Sequence, residues 1–163
     1  MSLGIILSWL HQPHNNNPDE KVLGKKLMDV TYNNLEGTPV SLLSFSEEYL
    51  LLNFWATWCE PCKRELPDLN TFQNKHRNVL KIVAISLDSL ERSTFFMKAI
   101  NNTLLTLISD QEVFNIMASL GNSKEAIPYS VLLNKNREII YTQYGEVSLS
   151  KITDLIHEEN LSS

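Results

Sequence analysis

Two short, almost continuous apolar runs, YLLLNFWA at residues 49 to 56 and LKIVAISL at residues 80 to 87, constrain this chain most. A strand with one wet face alternates apolar and polar residues, whereas a short run apolar on both sides of the backbone reads as a strand covered on both faces. Between the runs, residues 60 to 76 carry Leu66, Leu69 and Phe72 at helical spacing, and Pro67 is expected to kink that helix. Strand, helix and strand within about 40 residues form a βαβ unit, because parallel strands need a crossover of this length. A sheet that is at least partly parallel follows.

The rest of the chain adds elements to that unit. LMDVTYNNLEGTPVSL predicts an opening hairpin with its turn around Asn33 to Thr38. STFFMKAI and EVFNIMASL read as helices flanking a short strand, TLLTLI. YSVLLN and EIIYTQY predict an antiparallel hairpin closed by KNR. In LSKITDLIHEE, Leu149, Ile152, Leu155 and Ile156 form one apolar stripe, with Ser148 as the cap. The expected fold class is α/β, a mixed sheet flanked by helices.

At 163 residues and 43% apolar composition, one domain with one core is the default. The net charge of −5 comes without a basic cluster, which argues against nucleic acid and anionic membrane surfaces as partners. No run approaches the ~18 apolar residues of a membrane span. LGIILSWL, residues 3 to 10, reads either as an amphipathic tail or as the stump of a signal or anchor segment. HQPHNNNPDE reads as a linker, so residues 1–21 are assigned to tail and linker and 22–163 to the domain.

Both cysteines, Cys59 and Cys62, lie in FWATWCEPCKREL. At i, i+3 across a helix start, the first sulfur meets unsatisfied backbone N–H groups and the positive end of the macrodipole. These lower a thiol pKa from its ordinary ~8.5. Cys59 is therefore placed as nucleophile, and Cys62, one turn in, as the thiol that resolves a mixed disulfide. Two other uses of the pair compete. A purely structural disulfide closing so small a loop contributes only about 2 kcal/mol. A zinc site needs two further ligands from His11, His14, His76 and His157, none convincingly placed.

Across this motif the chain resembles the thioredoxin superfamily, and more closely its TlpA/ResA-like branch of extracytoplasmic thiol-disulfide oxidoreductases. LLNFWATWCEPCKRELPDL resembles the family's strand, W-C-x-x-C and helix; VAISLD resembles its next strand; and AIPYSVLLNKNREIIYTQYGE resembles its proline-containing hairpin. The likeness extends over about residues 23 to 160 and implies a thioredoxin-like fold with an N-terminal β-hairpin and a central helical insertion. It implies that Cys59 attacks and Cys62 resolves, that Pro128 is the cis-proline beside the dithiol, and that Ile127 pairs with an extended substrate. Trp58 would shield the sulfur, or else sit half-buried in the core.

Glu65 matches a glutamate that ResA-like proteins carry three residues after the second cysteine, while Asn53 stands where many thioredoxins have a strand aspartate. On the helix Glu65 shares a face with Cys62 and is read as the group that takes and returns its proton; the alternative is a solvated carboxylate paired with Lys63 or Arg64. Glu60 and Pro61, between the cysteines, are the candidate tuners of the Cys59 pKa. The negative charge of Glu60 opposes the thiolate and predicts a reducing protein.

The resulting expectation is a protein-disulfide reductase acting outside the cytoplasm, in the bacterial periplasm, with membrane attachment only through an N-terminal anchor. It needs no cofactor or metal beyond the cysteine pair. Its partners would be a disulfide-containing client and an upstream, membrane-bound thiol donor. GNSKEAIP before the hairpin differs from the GV-P type of cytochrome-maturation members, which lowers that reading of the client. Peroxide reduction is disfavoured because the chain lacks a lone cysteine after T-x-x-C. The alternative of another class is a copper-delivery or partner-docking module, since soft thiolates suit Cu(I).

Overall fold

The computed structural model describes residues 20–161; the apolar stretch at 3–10 and most of the linker lie outside the described residues. A seven-stranded sheet runs through the domain in the order β2-β1-β5-β4-β3-β6-β7. Its strands are β1 (Thr31–Asn34), β2 (Pro39–Ser41), β3 (Tyr49–Trp55), β4 (Leu80–Ser86), β5 (Leu105–Ile108), β6 (Tyr129–Leu133) and β7 (Ile139–Tyr144). The helices are α1 (Glu60–His76), α2 (Leu90–Ala99), α3 (Val113–Ser119) and α4 (Leu149–Leu161).

The central trio β5-β4-β3 is parallel, and β1, β2, β6 and β7 pair antiparallel around it. The two apolar runs became β3 and β4, paired in register from Tyr49 opposite Leu80 to Trp55 opposite Ser86. Every residue of β3 is buried, because alternate side chains go to opposite faces of the sheet. Leu50, Leu52 and Phe54 join the layer that holds Val113, Met117 and Leu120 around α3. Tyr49, Leu51 and Trp55 join the layer built from α1, α2 and α4, through Leu66, Leu69, Met97, Ile152 and Ile156.

Helix termini follow the sequence chemistry. The Ser89 hydroxyl caps α2 by accepting from the Arg92 N–H at 3.3 Å, and Ser148 does the same for Lys151 at 3.4 Å. Pro67 lies inside α1. The opening hairpin turns at residues 35–38, as the sequence predicts. Parallel strands β3, β4 and β5 all end on one side of the sheet, and the loop from β3 into α1 leaves from there, the side on which open α/β sheets build their sites.

Candidate active site

Cys59 is the N-cap of α1, with extended backbone at φ −98 and ψ 104, and its Sγ accepts the Cys62 N–H at 3.4 Å. Pro61 follows in the first turn, where its missing N–H leaves no intrahelical bond unmade. The two sulfurs are joined as a disulfide at 2.11 Å, so the structure holds the oxidised form. Cys62 is fully buried and Cys59 is 6% exposed. The outer sulfur is thus the one a second molecule can reach.

The Ile127–Pro128 bond is cis. Tyr129, next in the chain, pairs with Phe54 near the end of β3, which places Pro128 against the loop that carries the cysteines. Ile127 is partly buried and packs against the cluster that includes both. Among the described residues no hydrogen bond engages its backbone N–H or C=O. Trp58 is 65% exposed, so the half-buried core-aromatic alternative falls.

Glu65 is 6% exposed. Its Oε1 accepts from Asn53 Nδ2 at 2.7 Å, and its Oε2 from the Val147 N–H at 2.9 Å. Burial pushes its carboxyl above the ordinary range; the Val147 and Asn53 donors pull it back in part, and the charge of Glu146 pushes up again. Glu65 is therefore neither solvated nor paired with its neighbours: Lys63 pairs with Glu60, and Arg64 holds Glu146 through Nε at 3.0 Å and a terminal nitrogen at 2.6 Å. Beside Glu65, a cavity of about 300 Å³ opens between α1 and the β7–α4 loop, lined also by Arg64, Asp68 and Glu146. It is roomy enough for water to reach the carboxyl.

The Glu60 side chain is 71% exposed and ion-paired to Lys63. The opposing charge expected from it is therefore partly cancelled and well screened.

Three contributors carry no role in the sequence reading. Asn53, inside an otherwise apolar strand, sits opposite Ser130 in the β3–β6 register and donates to its Oγ at 3.1 Å as well as to Glu65. A lone amide in a doubly covered strand was the available signal. Val147 acts through its backbone, which no side chain announces. Thr57 donates to Asp88 across the loop. Burial works against the Asp88 charge, yet the Thr57 hydroxyl, the Ser89 N–H and Arg92 hold its carboxyl below the usual range.

Among the described residues no group of three or more His, Cys, Asp or Glu is placed to hold a metal ion, and no helix is long and apolar enough to cross a membrane. His76 stacks on Phe72 at 4.1 Å, far from any zinc role with the cysteines.

The protein family described as Redoxin matches residues 23–156. The thiol-disulfide oxidoreductase ResA of Bacillus cereus is 30% identical over 155 residues, 94% of this chain and 87% of that protein. The thioredoxin-like protein YneN of Bacillus subtilis is 35% identical over 80 residues, 49% of this chain and 47% of that protein. Among solved structures, StoA of Bacillus subtilis superposes with a TM-score of 0.64 at 26% identity, covering 78% of this chain and 96% of that one.

Proposed function

This chain belongs to the Redoxin family and is a ResA-like thiol-disulfide oxidoreductase of the thioredoxin superfamily, and from that premise we propose that it reduces disulfides in partner proteins outside the cytoplasm through Cys59 and Cys62. The observation that carries the reading is Cys59 at the N-cap of α1, its sulfur already accepting a backbone N–H that would serve a thiolate equally well.

In the reduced protein the Cys59 thiolate attacks one sulfur of a client disulfide, and the other client sulfur leaves as a thiolate. Cys62 then attacks Cys59, releasing the second client sulfur and restoring the Cys59–Cys62 bond; two electrons pass from protein to client. Glu65 accepts the proton that Cys62 must lose. Burial raises its pKa above the ordinary carboxyl range, which makes it a better proton acceptor than an exposed glutamate. The client's extended chain pairs with the open backbone of Ile127, beside Pro128, with Trp58 covering the reacting sulfurs. A thiol donor then re-reduces the pair, and an N-terminal anchor would hold the protein at the membrane.

Two measurements test this reading. Purified protein should accelerate reduction of insulin by a dithiol, as a carrier would not. In the Cys62→Ser variant the client should remain covalently bound at Cys59; a variant that releases client at the parental rate contradicts the assignment.

A further inference from the structure

The segment GNSKEAIP, which leads into the cis-proline, is shaped by one buried side chain. Asn122 is fully buried. Its Nδ2 donates to the Ala126 C=O at 2.7 Å, and its Oδ1 accepts the Ala126 N–H at 3.1 Å. Both amide heteroatoms are thus spent on the backbone of one residue four positions ahead. The Glu125 N–H returns to the Asn122 C=O at 3.4 Å, with Glu125 at φ 53, so residues 122–126 form a closed bracket.

The bracket has a fixed base. The Asn122 N–H donates to the Met117 C=O at 2.8 Å, at the exit of α3. The Tyr129 hydroxyl donates to the Leu120 C=O at 2.7 Å, and the Tyr144 hydroxyl to the Gly121 C=O at 3.1 Å. With Ala126's polar groups turned inward on Asn122, the next residue, Ile127, keeps both its N–H and its C=O open among the described residues.

We infer that Asn122 is a positioning residue for client binding, its amide fixing the direction in which Ile127 offers its backbone to an extended polypeptide. The inference rests on Ile127 being the docking edge, as proposed above. The physical reason is preorganisation: a loop ordered before binding need not be ordered by the client, and that cost otherwise appears as lost affinity. Asn122 itself never touches client or sulfur, so its loss acts on binding rather than on exchange.

The test compares two oxidised substrates, a short synthetic peptide with one disulfide and hydroxyethyl disulfide, which has no backbone to dock. Asn122→Ala should raise KM for the peptide about tenfold with kcat changed less than about twofold, and leave hydroxyethyl disulfide reduction at the parental rate. Parental KM for the peptide would overturn the inference. Should Asn122→Ala not fold, Asn122→Ser keeps an acceptor-sized hydroxyl and carries the same comparison. Amide hydrogen exchange on the parent is independent of any variant at 122: the Ala126 amide should exchange slowly and the Ile127 amide fast, and an unprotected Ala126 amide overturns the bracket. Trapping the peptide on Cys62→Ser should protect the Ile127 amide. Failure of that protection, with Ala126 slow, removes the docking edge instead.

Discussion

Asn53 Nδ2 donates to Glu65 Oε1 at 2.7 Å, in a place where Asn53 is fully buried and Glu65 is 6% exposed. The amide supports the ionised carboxylate, while its own Oδ1 has no partner. Rotating the amide would present that oxygen to a protonated Glu65, so one side chain can serve both states of the carboxyl. Glu65→Gln should therefore fold, with the rotated Asn53 accepting from the new amide, yet turn over at least about tenfold more slowly because the proton acceptor is gone. Turnover equal to the parent at every pH would remove Glu65 from the mechanism.

The same group makes a stability prediction. Its folded pKa is raised above the ordinary 4.5, so between that value and the folded pKa the native state binds more protons than the unfolded one. Stability is then full below about pH 4.5 and is lost as pH rises through the folded pKa. Thermal melts of the oxidised protein should show Glu65→Gln gaining on the parent from pH 4.5 to 8. A constant difference in Tm across that range would show that the carboxyl does not titrate as placed.

Lys63 cancels part of the charge that Glu60 sets beside Cys59. Lys63→Ala should slow alkylation of reduced Cys59 at neutral pH, and Glu60→Gln in the same background should restore it. Both shifts should stay below about fivefold, because exposed pairs are weak, and both should shrink at high salt. Unchanged rates in both variants would mean that Glu60 does not tune the thiol.

Gly121 takes φ +96 where the chain leaves α3, and a Cβ there would meet Val22 Cγ2 at 2.9 Å and the Tyr129 hydroxyl at 3.1 Å. Gly121→Ala should destabilise by about 1–3 kcal/mol, lowering Tm by about 2–4 °C for each kcal/mol. It should also weaken peptide reduction, because the Asn122 bracket stands on this residue. A Tm within a degree or so of the parent would show that the backbone relaxes freely here.

Much of this architecture was legible because burial on two faces leaves a strong mark: β3 and β4 came directly from their apolar runs, and the stripe from Leu149 to Ile156 became α4. The i, i+3 cysteines were legible for the same reason, since helix geometry alone fixes what lies at the first turn. The surroundings of Glu65 were harder to read. Spacing put it beside Cys62, but its burial depends on Asn53 from a neighbouring strand and on the Val147 backbone, which is 82 positions away. Whether a charge such as Glu60 acts or is screened depends on a rotamer of Lys63, and the role of Asn122 appears only once residues 122–126 close on themselves.

The most direct test is the pH dependence of iodoacetamide alkylation of the reduced protein, read cysteine by cysteine by mass spectrometry. Cys59 should react first, with an apparent pKa well below the ordinary ~8.5, and Cys62 should stay protected. Modification of Cys62 first, or a Cys59 that titrates at or above ~8.5, would contradict the assignment of the helix terminus as the source of its reactivity.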